Sequence, residues 1–236
     1  MVPEPAPREG ARLGSGAMFD AIAGRYDLLN RLMSFGSDRR WRRQMVAALG
    51  LRAGDRVLDL ATGTGDVALE ILRQEPTAQV VGLDPSAAML AVGHRKVAAR
   101  GLDASITLLE GDAQAIPFLD GRFASTTIAF GIRNVPDRAR ALREVARVTR
   151  AGGRVCILEL GEPRAWMARV HVHWAVPRLG ALLSGSREYA YLQESMARFP
   201  SAEDFSRQLH ENGLRVVSVT PFALGACHLF VAESRG

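Results

Sequence analysis

The sequence predicts an α/β fold: a mostly parallel sheet of seven strands, covered by helices and finished by an antiparallel C-terminal hairpin. Three observations predict it. From residue 56 onward, short β-rich runs alternate with segments whose apolar residues recur at three- and four-residue intervals, the pattern of a parallel sheet with helical crossovers. The chain closes on two β-rich runs, LRVVSVTPF and HLFVAES, separated by a short loop containing Gly225. Strands joined that closely run antiparallel. A length of 236 residues with 47% hydrophobic content suits one domain with a sizeable core and is short for two.

Residues 1–15 are rich in Pro, Gly and charge and contain no apolar run like that of a signal peptide. They are expected to form a flexible arm on a cytoplasmic protein. Over 16–50, Phe19, Ile22, Ala23, Tyr26, Leu29 and Met33 fall on one helical face, which predicts two helices lying as a lid over the sheet's carboxyl edge. Strands are expected at RVLDLA (56–61), QVVGLD (79–84), SITLLEGD (105–112), ASTTIAFG (124–131) and RVCILELG (154–161). Helices fall between them at 66–75, 86–100 and 136–150, with Ser86 suited to an N-cap and Gly101 to a terminator. The alternation breaks over 162–200, a helical insertion, and resumes with a helix at 201–212, so that 16–236 forms one domain. The longest uncharged stretch, 216–232, is too short to span a bilayer and contains Pro221 and Gly225. Five parallel strands followed by a hairpin is the layout of Rossmann-like class I methyltransferases; a dinucleotide-binding domain typically continues with a sixth parallel strand.

The net charge is +5, and Lys96 is the only lysine among the basic residues. Such a balance permits contact with anionic lipid or RNA and requires neither. Cys156 and Cys227 sit among apolar residues without CxxC spacing or partner histidines, which predicts buried thiols and no metal site.

The segment VLDLATGTGD (57–66) carries the first chemistry. Gly63, Gly65 and Ala68 satisfy G-x-G-x-x-A, and Asp84 follows about twenty residues on, which alone is a dinucleotide fingerprint. A pyrophosphate at a helix N-terminus would meet Asp59 and Asp66 on either side of the glycines, and like charges repel. S-adenosylmethionine carries a sulfonium and an ammonium and no phosphate, so the same acids favour it. The Gly63-Thr64-Gly65 turn then brings backbone to the amino-acid part, Asp84 accepts from the ribose hydroxyls, and Asp112 with the N–H of Ala113 addresses the adenine edge. Asp is also a common turn and cap residue, the alternative for each acid alone; three in register at successive strand ends favour the cofactor.

The run after the fourth expected strand narrows the acceptor. Ala129 to Asn134 read AFGIRN, not the Asn/Asp-Pro-Pro-aromatic turn that accepts amine hydrogens, and Cys156 lies inside a strand where no exposed thiolate forms. A phenolic ring fits, because its hydroxyl, with a pKa of about 10, pushes charge onto the ortho carbon once ionised.

FDAIAGRYDLLNRLMSFGSDRRW (19–41), VLDLATGTGD, TIAFGIRNV (127–135), RVTRAGGRVCILELGEP (147–163), VPRLG (176–180) and YAYLQESMARFP (189–200) together resemble the C-methyltransferases of ubiquinone and menaquinone biosynthesis. The resemblance implies S-adenosylmethionine as cofactor, contacted by Thr64, Asp84, Asp112 and Ala113, and a prenylated quinol as substrate, demethylmenaquinol foremost. It also implies that Arg133 and Asn134 face the reacting ring, the arginine as an electrostatic stabiliser because it stays protonated, and that Tyr26, Asp27 and Asn30 close over it. Helix capping ahead of Pro136 is the other reading of Asn134, and core packing the other reading of Tyr26. A serine is common before the FG of this family's FGIRN run, where this chain has Ala129.

Between Glu162 and Glu188 there is no acid, while Arg164, Arg169, Arg178 and Arg187 mix with Trp166 and Trp174. That composition suits peripheral contact with a membrane surface, or a cap over the sheet with solvated arginines. His171 and His173 read as packing or surface residues, and Arg39 to Arg43 as a solvated helix face; no nucleic-acid partner is expected, and a homodimer is compatible with the sequence. The rival functions are methylation of another small lipophilic phenol or sterol, and a non-catalytic S-adenosylmethionine-binding or RNA-associated protein that kept the cofactor fold.

Overall fold

The computed structural model describes residues 36–161 and 186–236, the side chains of 186–190 and 192 excepted, together with Asp20, Ala23, Gly24, Asp27, Arg31 and Ser34. Helix α1 (Ser37–Ala48) leads into β1 (Arg56–Leu60), α2 (Asp66–Gln74), β2 (Gln79–Asp84), α3 (Ala87–Ala98), β3 (Ile106–Glu110) and β4 (Phe123–Ala129). A 3-10 turn at Ile132–Asn134, α4 (Arg138–Val148) and β5 (Thr149–Leu160) follow, then α5 (Ser186–Arg198), α6 (Ala202–Glu211), β6 (Leu214–Phe222) and β7 (Cys227–Ser234). Ser86 caps α3 by accepting the Met89 N–H at 3.1 Å, and Asp137 caps α4 through the Arg140 N–H at 2.9 Å.

The seven strands form one sheet in the order β3-β2-β1-β4-β5-β7-β6. Strands β1 to β5 pair in parallel, whereas β7 runs antiparallel to both β5 and β6. The expected hairpin is present, with its last strand inserted between β5 and β6. Burial explains the order. Leu229, Phe230, Val231 and Ala232 are consecutive buried residues of β7, while β6 is exposed along most of its length. A strand apolar on both faces belongs inside a sheet, and a polar one at its edge. Strand β5 starts at Thr149, five residues ahead of expectation, because Arg150 to Gly153 form a bulge and not a loop: pairing jumps from Phe123–Thr149 to Ser125–Arg154.

Strand alternation sorts the core into two layers. Val57 joins Met45, Val46, Val67, Ile71 and Leu90 on one face, and Leu58 and Leu60 join Leu142, Val145, Phe205 and Leu209 on the other. Through Met45, Val46 and Leu49, α1 belongs to the first layer. This helix therefore packs on the sheet face, because the apolar residues on that side drive it into the core. Cys156 and Cys227 are free and buried, as the sequence predicts, and burial pushes the Cys156 thiol up to about 12. Among the described residues no helix is long and apolar enough to cross a membrane.

The loops after β1 and β4 meet closely. Ala61 and Phe130 both adopt positive φ, 51° and 58°, and a Cβ on Gly131 would fall 2.4 Å from the Ala61 Cβ. Gly131→Ala should cost about 1–3 kcal/mol, since neither Cβ can move without its backbone. Adding Ala61→Gly should recover most of that loss, because glycine accepts the φ of residue 61 and vacates the space. Urea unfolding of the three variants tests this, and no recovery in the double variant would contradict the steric account.

Candidate active site

The carboxyl ends of β1, β2, β4 and β5 converge where the strand order reverses between β1 and β4, the crevice in which open α/β sheets take ligands. Asp59 stands there because the alternation that buries Leu58 and Leu60 in one layer turns it toward the other. It is 1% exposed and accepts the Thr62 hydroxyl at 2.6 Å and the Thr127 hydroxyl at 2.8 Å. Burial pushes its carboxyl from 3.8 to about 6, against the pull of the two hydroxyls. Asp84 ends β2 and accepts the Gly63 N–H at 2.8 Å and the Ser86 N–H at 2.9 Å. Burial raises this carboxyl to about 6 as well, against those two N–H groups. Among the described residues, no ammonium or guanidinium hydrogen-bonds to either acid.

Between them the glycine loop turns sharply. Gly63 and Gly65 have φ of 55° and 79°, and a Cβ on Gly63 would press on Met89 at 3.1 Å. Thr64 is buried, donating its hydroxyl to Asp27 at 2.7 Å and accepting Lys96 at 3.0 Å. Lys96 also bonds Asp27 at 2.9 Å and reaches Asp66, which pairs with Arg42 at 3.4 Å. Burial works to raise the Asp66 carboxyl, but Arg42 and Lys96 outweigh it and hold it below its ordinary value. The two acids that bracket the glycines therefore differ: Asp66 is neutralised by protein cations, and Asp59 is not. Past β3, both carboxylate oxygens of Asp112 accept from Gln114, the shortest contact being the backbone N–H at 2.8 Å, and Ala113 is half-buried against the second layer.

Arg133 and Asn134 come together on the 3-10 turn beyond β4. The Arg133 guanidinium does not stand open over the crevice: Nη1 donates to Glu159 Oε1 and to the Phe130 carbonyl, both at 2.6 Å, and Nε to Ser195 Oγ at 3.3 Å. Its backbone N–H meets Glu159 Oε2 at 3.1 Å, and the Glu159 side chain is 0% exposed. Asn134 is not the cap of α4, a place Asp137 takes; its Oδ1 accepts the Tyr191 hydroxyl at 3.1 Å. Burial raises the Tyr191 phenol above its ordinary value, so it remains a donor at neutral pH. Tyr26, Asn30, His171 and His173, with most of the basic aromatic segment, lie outside the described residues.

Sequence reasoning passed over Glu159, Tyr191, Ser195 and Lys96. A signal existed for the first three. Glu159 is an acid inside an apolar strand, CILEL, which requires a partner, and Tyr191 and Ser195 are four apart on one helix face.

Among the described residues these two buried acids accept hydrogen bonds from neutral donors, and beside a backbone cradle that arrangement suits a cationic cofactor and opposes a diphosphate. Residues 11–233 match the model of the ubiE/COQ5 methyltransferase family. The chain belongs to that family. It is 44% identical over 221 residues to the ubiquinone/menaquinone biosynthesis C-methyltransferase UbiE of Geotalea uraniireducens, covering 92% of this chain and 94% of the relative. It is 45% identical over 218 residues to the demethylmenaquinone methyltransferase of Thermus thermophilus, covering 90% and 98%. Among solved structures, an S-adenosylmethionine-dependent methyltransferase from Aquifex aeolicus aligns at TM-score 0.67 and 18% identity over 91% of this chain and 98% of that one. The [4+2]-cyclase SpnF aligns at TM-score 0.70 and 17% identity over 93% and 94%. The fold thus hosts more than one chemistry, and it is membership of the ubiE/COQ5 family that makes this chain an S-adenosylmethionine-dependent C-methyltransferase of quinone biosynthesis.

The raised carboxyls carry a sign for stability. Asp59 and Asp84 favour protonation in the folded state, so their contribution is full below pH 3.8 and is lost as pH rises through about 6. Asp59→Asn removes one of the two. Between pH 4 and pH 7 the ligand-free wild type should lose up to about 3 kcal/mol more stability than this variant. Guanidinium unfolding at both pH values measures the difference, and identical pH dependence in the two proteins would count against the assignment.

Proposed function

We propose that this ubiE/COQ5-family enzyme methylates a ring carbon of demethylmenaquinol, with the benzoquinol precursor of ubiquinone as the second acceptor to test. The observation that carries this reading is the cluster of Arg133, Glu159, Asn134 and Tyr191 at the end of β4 and β5, beside the acids of β1 and β2. The relative named as a demethylmenaquinone methyltransferase, matched over 98% of its own length, favours the naphthoquinol ring.

When bound, S-adenosylmethionine supplies an electrophilic methyl group. In this reading Asp59 and Asp84 supply negative potential toward its positive charges, Asp84 also meets the ribose, the Gly63-Thr64-Gly65 backbone takes the amino-acid part, and Asp112 with Ala113 takes the adenine edge. Repulsion of anions by two uncompensated acids selects this cofactor over a dinucleotide. On the acceptor side, the pairing with Glu159 leaves Arg133 little net charge to offer and fixes the turn that carries Asn134. Asn134 and the Tyr191 O–H then address the quinol hydroxyl, holding the ring so that its nucleophilic carbon faces the methyl, while Arg133 favours the phenolate through oriented N–H dipoles. Tyr26 closes over the ring from the N-terminal segment. The proposal extends to a cytoplasmic enzyme whose basic aromatic segment, with Arg164, Trp166, Arg169, Trp174 and Arg178, meets an anionic membrane surface where the prenyl tail resides.

An assay with labelled S-adenosylmethionine and the two reduced quinols should place label in the demethylmenaquinol ring, and transfer to neither quinol would sink the substrate reading. Asp84→Ala should raise the KM for the cofactor at least about tenfold, since a hydrogen bond to a charged group is lost. Arg133→Gln should lower kcat about a hundredfold while leaving that KM within about twofold. Equal loss of cofactor affinity in both variants would contradict the two roles.

A further inference from the structure

We propose that Lys96 is a positioning residue of this enzyme: together with Asp27 it latches the N-terminal segment onto the glycine loop and sets the rate at which cofactor and spent cofactor exchange. Lys96 is the single lysine in a chain with 30 basic residues. Its ammonium meets three oxygens from three parts of the chain: Asp27 Oδ2 at 2.9 Å, Thr64 Oγ1 at 3.0 Å, and Asp66 Oδ1. Three radiating N–H donors meet three acceptors, a geometry a planar guanidinium does not reproduce. All three ionic side chains are shielded, with exposures of 19% for Lys96, 25% for Asp27 and 28% for Asp66. The pairing is therefore less screened than a surface ion pair.

Asp27 is bidentate across the junction, because its other oxygen accepts the Thr64 hydroxyl at 2.7 Å. That hydroxyl donates to Asp27 and accepts from Lys96, so the set of the Thr64 backbone depends on the latch. A second tie lies seven residues earlier. Asp20 accepts the Ser86 hydroxyl at 2.5 Å and the Ala88 N–H at 3.4 Å, at the N-terminal end of α3 where an anion is favoured. One tie sits on the loop after β1 and the other on the loop after β2. The same two loops carry the cofactor site, so exchange requires this segment to let go.

The latch rests on the reading that the cofactor lies against Gly63, Thr64, Gly65 and Asp84. It is tested on the full chain with S-adenosylhomocysteine as the probe, by stopped-flow displacement from wild type, Asp27→Asn, Lys96→Met and the double variant. Each single variant should raise the dissociation rate about tenfold, and the double variant no further, because one contact is removed in all three. The wild-type rate should rise with salt while the variants' rates stay flat, a response that a purely structural lysine would not produce. Asp27 lies outside the sheet and its helical layers, so Asp27→Asn decides the matter alone if Lys96→Met does not fold. Unchanged rate and unchanged salt response in Asp27→Asn, or multiplied effects in the double variant, overturn the latch. Affinity untouched by Asp84→Ala overturns the underlying site reading instead.

Discussion

Burial of a carboxylate at the end of the first strand is the constraint on which the site depends. Asp59 binds the β1 loop through Thr62 and the neighbouring strand β4 through Thr127, so one side chain joins the two strands at which the sheet changes direction. Hydroxyl donors satisfy its hydrogen bonding but do not neutralise its charge, which is why burial dominates and its carboxyl rises to about 6. Asp84 repeats the arrangement one strand over, with backbone N–H groups in place of hydroxyls. Both acids are shaped and held by neutral donors, and both remain short of positive charge.

Cations are available nearby and are spent elsewhere. Arg42 and Lys96 converge on Asp66, seven residues from Asp59, and pull its carboxyl below the ordinary range. Arg42 also lies over the Phe130 ring at 5.5 Å, linking this charged cluster to the turn that leads to Arg133. On the acceptor side Glu159 compensates Arg133. Among the described residues, Asp66, Glu159 and Arg133 have partners of opposite charge, whereas the acids at the ends of β1 and β2 accept hydrogen bonds from neutral donors. In the proposed reading that asymmetry is what favours a cationic cofactor.

Much of the sheet was legible in the sequence because its strands and helices differ in apolar period, and period is a local property. The place of β7 between β5 and β6 was also encoded, in the contrast between the unbroken run LFVA and the polar alternation of β6, but it is a comparison between two segments and not a motif. The bulge at Arg150 to Gly153 was hidden because Ala-Gly-Gly reads equally as a loop. At the site, the acids stood out because each follows an apolar run. Their partners did not. Asp27 to Thr64, Asp27 to Lys96, and Tyr191 to Asn134 join residues 37, 69 and 57 positions apart, and no local pattern announces a pairing at that range. Sequence also placed Arg133 at the reacting ring without revealing that Glu159 would turn its guanidinium inward.

The two halves of the site therefore rest on different kinds of structure. In the proposed reading the cofactor half is made by strand ends and the turns that follow them. In that reading the acceptor half is made by a short turn after β4, an acid within β5, and α5, whose Tyr191 and Ser195 reach the turn from across the chain. Phe130 at positive φ aims that turn, and the clash distance between Gly131 and Ala61 shows how little room there is to aim it differently. Since Gly131 packs on Ala61, two residues ahead of Gly63, a shift of that turn is felt at the start of the loop after β1. In the proposed reading, changes on α5 at Tyr191, which reaches the turn through Asn134, alter the acceptor side while leaving the backbone of the loop after β1 in place.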